Sequence, residues 1–176
     1  MPVSMSKPSL RTRIAAASTG AVLLCSGIAA APAFAAPATD TVSIAEIQGT
    51  GAETPLKGQT VTTEPSIVTA VYPGDPGTLG GFVIQTPGSG GKVDMSKAST
   101  GVFVYTGSTQ STVSVGDRVQ VTGEAGEYRG LTQLEGNIEI TPVAEELPAV
   151  EPATNDWAST AATRENLESM LYKPKD

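Results

Sequence analysis

Val115-Gly116-Asp117-Arg118-Val119-Gln120-Val121-Thr122-Gly123 alternates apolar and polar side chains from Arg118 to Thr122. Successive side chains of a strand point to opposite faces, so Val119 and Val121 belong on a core and Arg118, Gln120 and Thr122 face water. Similar short runs lie on either side. Gln59 to Tyr72 is rich in Thr and Val but contains Pro65, which cannot donate to a ladder; it reads as one long strand bent near that proline. Gly81-Phe82-Val83-Ile84-Gln85-Thr86 and Gly101-Val102-Phe103-Val104-Tyr105 read as two short strands, and Leu131 to Thr141 as a fifth after the turn at Glu127-Tyr128-Arg129-Gly130. Ile44 to Gly49 reads as a short lead-in strand. Five strands with glycine at the bends suit an all-β fold: a five-stranded OB-fold-like barrel over residues 43–141, or a small sandwich of the same strands.

Beyond Thr141 the prolines 142, 148 and 152 and several acids read as an extended linker over residues 142–162. A short helix is expected over 163–173, with Thr163 as N-cap, Leu167, Met170 and Leu171 on one face and Pro174 as the stop. So short a helix is marginal alone, and the chain from Val143 onward is expected to be loosely held.

The amino end has a different character. Lys7, Arg11 and Arg13 precede an apolar run, Ile14 to Ala31, which is followed by Ala33-Phe34-Ala35. These are the charged, apolar and small-x-small parts of a secretory signal peptide, expected over residues 1–36 with cleavage after Ala35 or Ala36. Cys25 follows Leu24, where lipoprotein processing needs a small residue, so it is expected to leave with the signal. The expected product is secreted and extracellular, without membrane attachment after cleavage.

Removing the signal leaves eight Lys and Arg against 18 Asp and Glu, a formal charge of −10. Such a surface repels phosphate backbones and disfavours tight nucleic-acid binding. Histidine is absent throughout, and no cysteine follows the signal. The usual general base, the thiol nucleophile and the commonest zinc ligands are therefore missing, and only Ser, Thr, Lys, Tyr or carboxylate chemistry would remain; no catalytic residue, metal site or cofactor is singled out in this chain. Gly88-Ser89-Gly90-Gly91-Lys92 ends like a phosphate loop, but Thr86 and Val93 stand where that motif needs Gly and Ser or Thr. Glu124 and Glu127 read as solvated turn acids, and Asp117 as a turn former.

Aromatic residues are the best binding candidates. Phe103 and Tyr105 share one face of a strand; if Val102 and Val104 face inward, the aromatics face a ligand, and in the opposite register Phe103 is core. Tyr128 and Arg129, on a turn, could flank the same groove, and Lys92 is a nearby cation.

The segments Ile44 to Gly51, Gly58 to Thr62, Ile67 to Tyr72, Gly81 to Thr86, Val102 to Tyr105, Val115 to Gly123 and Gly130 to Leu134, in this order and spacing, resemble the amino-terminal OB-fold region of secreted bacterial extracellular nucleases of the endonuclease/exonuclease/phosphatase family. Arg164 to Met170 resembles the helix after that barrel. Pro65-Ser66 departs from the family, which carries glycine after Thr-Thr-Glu. The resemblance implies a non-catalytic accessory module without the metal-dependent (Mg or Ca) catalytic domain, a truncated, frameshifted or stand-alone version of the non-catalytic half. Its partners would be weakly held single-stranded nucleic acid or a catalytic nuclease domain. The rival expectation is a stand-alone carbohydrate-binding or adhesion domain.

Overall fold

The computed structural model describes residues 40–75, 77–107, 112–155 and 160–174. The expected signal peptide lies outside the described residues. Six strands form one sheet: β1 (Thr60–Thr62), β2 (Ser66–Tyr72), β3 (Gly81–Gln85), β4 (Gly101–Tyr105), β5 (Arg118–Tyr128) and β6 (Leu131–Pro142). β1 and β2 both run antiparallel to β5, Thr60 opposite Glu124 and Ser66 opposite Val119, so they are two halves of one bent stave. The break falls at residues 63–65, around Pro65. There the Thr63 hydroxyl accepts from the Val121 N–H at 3.0 Å, replacing a ladder bond that the bend removes.

From this stave the sheet continues antiparallel through β3 and β4, passes parallel from β4 to β6, and returns through the β5–β6 hairpin. Every stave therefore has two neighbours. The result is a closed five-stranded barrel, not a sandwich. Closure depends on a bend in β6: between the pairs Thr122–Glu139 and Glu124–Glu135 the register slips, and Gly136 takes a left-handed φ of 81°. The first half of β6, at Gln133 and Leu134, can then turn to meet β4. Arg129 and Gly130 join the hairpin as a two-residue turn with both φ values positive, the type I′ geometry that matches strand twist.

The barrel encloses Val68, Phe82, Ile84, Val102, Val104, Val119, Val121 and Leu134. Val119 and Val121 are buried as their alternation requires, while Arg118, Gln120 and Thr122 keep partial exposure. Ile44 and Ile47 join the same core from a helix, α1 (Ile44–Gln48), so the expected lead-in strand is corrected. The cause is local. Ser43 and Glu46 form a capping box in which the Ser43 N–H donates to Glu46 Oε2 at 3.0 Å and the Glu46 N–H to Ser43 Oγ at 3.2 Å. Ile44 and Ile47, three apart, then share one helical face.

The carboxy-terminal part also differs from expectation. Residues 142–155 are extended but not free: the N–H groups of Gly88 and Glu151 donate to Pro148 and Ser89, and Ala153 is fully buried. Asn155 makes paired bonds of 2.8 Å to the backbone of Val93. The helix is α2 (Ala161–Glu165), one short turn starting earlier than expected, because Thr160 and not Thr163 supplies the N-cap hydroxyl. Beyond it, i to i−3 bonds tighten the chain, Ser169 adopts a φ of 57°, and Leu171 to Lys173 runs extended beside Ala153. The expected helical face of Leu167, Met170 and Leu171 is therefore not formed.

Candidate functional site

β4 decides which side of the barrel can receive a ligand. Val102 and Val104 are fully buried in the core, so Phe103 and Tyr105 point to the outer face. They differ in role. Phe103 is only 3% exposed and makes an edge-on contact with Tyr72, ring centroids 6.2 Å apart, whereas Tyr105 is 44% exposed. Gly81 is needed beneath them, since a Cβ there would lie 2.1 Å from the Val104 carbonyl oxygen and 2.8 Å from Phe103 Cζ.

A pocket of about 470 Å³ opens over this pair. One wall is the β2–β3 loop at Gly77, Thr78 and Leu79; the other is the end of the β5–β6 hairpin with Tyr128, Leu131, Gln133 and Glu135. Tyr128 stands 58% exposed at the rim, and the Arg129 guanidinium lies 5.4 Å from its ring centroid. At the base Gln133 is buried, held by the parallel pairing of β4 with β6 that sets it beside Phe103. Its Nε2 donates to Glu135 Oε2 at 2.5 Å, which fixes the carboxylate. Gly126 leaves room for that carboxylate: a Cβ there would sit 2.5 Å from Glu135 Oε1.

Four of the residues singled out by sequence thus converge: Phe103, Tyr105 and Tyr128 line the pocket and Arg129 flanks it. Lys92 does not join them. It is exposed beside Gly91, which bridges to Ala153 in the carboxy-terminal segment. Leu79, Gln133 and Glu135 were not legible as site residues, because only barrel closure brings the two loops together. The parity of Leu131, Gln133 and Glu135 along one strand was the available signal.

Glu127 is also corrected. It is not a solvated turn acid: its Oε1 accepts from the Thr54 N–H at 2.8 Å and the Thr132 hydroxyl at 2.6 Å. Asp117 does shape its turn, accepting from the Ser114 N–H at 2.8 Å.

Another part of the outer face, around Gln85, Ser99 and Thr132, is covered by the carboxy-terminal segment. The Leu171 N–H donates to Gln85 Oε1 at 2.8 Å, Ser99 Oγ donates to the Glu168 carbonyl, and Glu168 Oε1 accepts from the Thr132 N–H at 2.9 Å. Burial is the main cause that pushes the Glu168 carboxyl up to about 7, with Glu165 and Glu127 adding to it and hydrogen bonds from Thr132 and Gln48 opposing. Among the described residues no group of three or more His, Cys, Asp or Glu is placed to hold a metal ion, and no helix is long and apolar enough to cross a membrane.

No family model, curated protein or solved structure matches this chain.

Proposed function

We propose that this chain is a secreted, non-catalytic binding module of the OB type, accessory to an extracellular nuclease, that weakly positions single-stranded nucleic acid by stacking its bases. One observation carries the proposal: Phe103, Tyr105 and Tyr128 converge on one pocket between the β2–β3 loop and the β5–β6 turn. In an OB barrel, the face of the second and third staves and the loops flanking it receive oligonucleotides and oligosaccharides. With β1 and β2 counted as one stave, those staves are β3 and β4. The antiparallel path through β3 and β4 and the parallel β4–β6 contact support the OB assignment.

Stacking supplies affinity and the backbone contributes little, because Arg129 is the one cation beside the pocket among the described residues and Glu135 lines it. Binding should depend weakly on salt: with about one phosphate neutralised, the slope of log K against log salt is about −0.7. Titrating the mature chain with a mixed-sequence single-stranded hexanucleotide at several salt concentrations tests this. Tyr105→Ala should weaken binding about tenfold, the loss of one stacked base. No binding at low salt, or an unchanged affinity in Tyr105→Ala, would reject the proposal.

Glu135 favours a second reading, an uncharged saccharide, since a carboxylate accepts from sugar hydroxyls and repels phosphate. Retention on a neutral polysaccharide, with none on single-stranded DNA, would establish it.

A further inference from the structure

Beyond general stacking, the pocket contains one polar device. Glu135 is half-buried in the lining, its carboxylate oriented by the bond from the buried Gln133 amide. Among the described residues it has no Lys or Arg within salt-bridge distance. A carboxylate oxygen has two acceptor sites, so the bond from Gln133 leaves both oxygens able to accept more. Tyr105 and this carboxylate line the same pocket, so a stacking surface and a fixed acceptor share one space.

We propose that Glu135 makes this pocket selective for guanine among the nucleobases. The inference rests on the base-stacking function proposed above. A carboxylate matches an edge that presents two adjacent N–H donors. Guanine does so with N1–H and its exocyclic amino group. Adenine and cytosine each set a ring-nitrogen acceptor beside their amino donor, which meets the second carboxylate oxygen unfavourably. Uracil and thymine flank a single N–H with two carbonyl oxygens. Guanine therefore gains a paired, charge-assisted contact, and each other base leaves one oxygen facing a lone pair.

Phosphate-free nucleosides isolate this effect. Guanosine, inosine, adenosine, cytidine and uridine are titrated against the mature chain by calorimetry or amide chemical-shift changes, with a neutral trisaccharide in parallel. Guanosine should bind about tenfold tighter than the other nucleosides, the scale of one good paired edge contact. Inosine, which keeps N1–H and lacks the amino group, should fall with the weaker set. Glu135→Gln should remove the guanosine preference, and Tyr105→Ala should weaken all five nucleosides. Equal binding of all five, abolished in Tyr105→Ala, would overturn the guanine assignment and leave the stacking function standing. A guanosine preference that survives in Glu135→Gln would also overturn it. Failure of every nucleoside and of the hexanucleotide to bind, with or without trisaccharide binding, would overturn both.

Discussion

The outer face of β2, β3 and β4 has two ends with different fates. At one end Tyr105 and Tyr128 stand open beside the pocket; at the other the carboxy-terminal segment lies directly on the sheet. The strands are the same, and what differs is the residue presented outward. Gly101 leaves the sheet surface bare, so the Ser169 carbonyl lies where a Cβ would be only 2.2 Å away. Two residues on, Phe103 fills the equivalent outward position with a ring. Gln85 then turns its carbonyl to the Leu171 N–H and fixes the segment in register. A small residue invites backbone to dock, whereas a large aromatic keeps the surface clear. The open end keeps Leu79, Tyr105 and Tyr128 exposed to a ligand.

The covered end can be broken at Gly90, whose φ is 106° and whose added Cβ would fall 1.6 Å from the Glu151 carbonyl oxygen. Gly90→Ala should detach the segment at a cost on the order of 4 kcal/mol, because both overpacking and backbone strain oppose it. Denaturant unfolding measures the loss, and limited proteolysis should change from resistance to rapid cleavage between residues 143 and 174. The open end should keep its nucleoside affinity in this variant.

Phe103→Ala tests the floor of the open end. Phe103 is nearly buried, so its truncation should cost about 3 kcal/mol and also weaken binding. Tyr105→Ala, at the rim, should weaken binding as much but change stability by less than about 1 kcal/mol, which calorimetric melting can resolve. Equal stability losses at the two positions would erase the distinction between floor and rim.

Glu168 offers a smaller effect, confined to the covered end. Its carboxyl titrates near 7 in the folded protein and near 4.5 when unfolded, so the native state binds the proton more tightly. Stability should be greatest below about pH 4.5 with respect to this group, fall as pH rises to about 7, and level off above. Solvent screening of the half-buried side chain reduces the total to roughly 1–2 kcal/mol. Glu168→Gln should flatten that slope and raise stability at pH 8, as read from denaturation midpoints. A wild-type slope that persists in Glu168→Gln would assign the effect elsewhere.

The barrel was legible because its signals are local. The alternation at Arg118 to Thr122 and the proline at 65 each declare a strand or a break within a few residues. Two helix starts follow from local polar pairs that outweigh the apolar pattern: Ser43 with Glu46, and Thr160 with Thr163, form caps. The covered end was illegible for another reason. Proline and acid composition in residues 142–155 describes an extended chain correctly, but nothing in it shows that Asn155 finds the Val93 backbone 62 residues earlier. The same holds for the pocket. Phe103 and Tyr105 declare a shared face by parity, yet their register became certain only when Val102 and Val104 entered the core, and Glu135 entered the site only through closure of β4 on β6.

Amide chemical-shift mapping of residues 37–176 with a single-stranded hexanucleotide tests the central claim most directly. Shifts should concentrate at residues 77–79, 103–105 and 128–135, leaving the strapped surface at 85, 101 and 171 unchanged. Shifts centred on the strapped surface, or no saturable shifts anywhere, would contradict the assignment of the open aromatic end as the binding site.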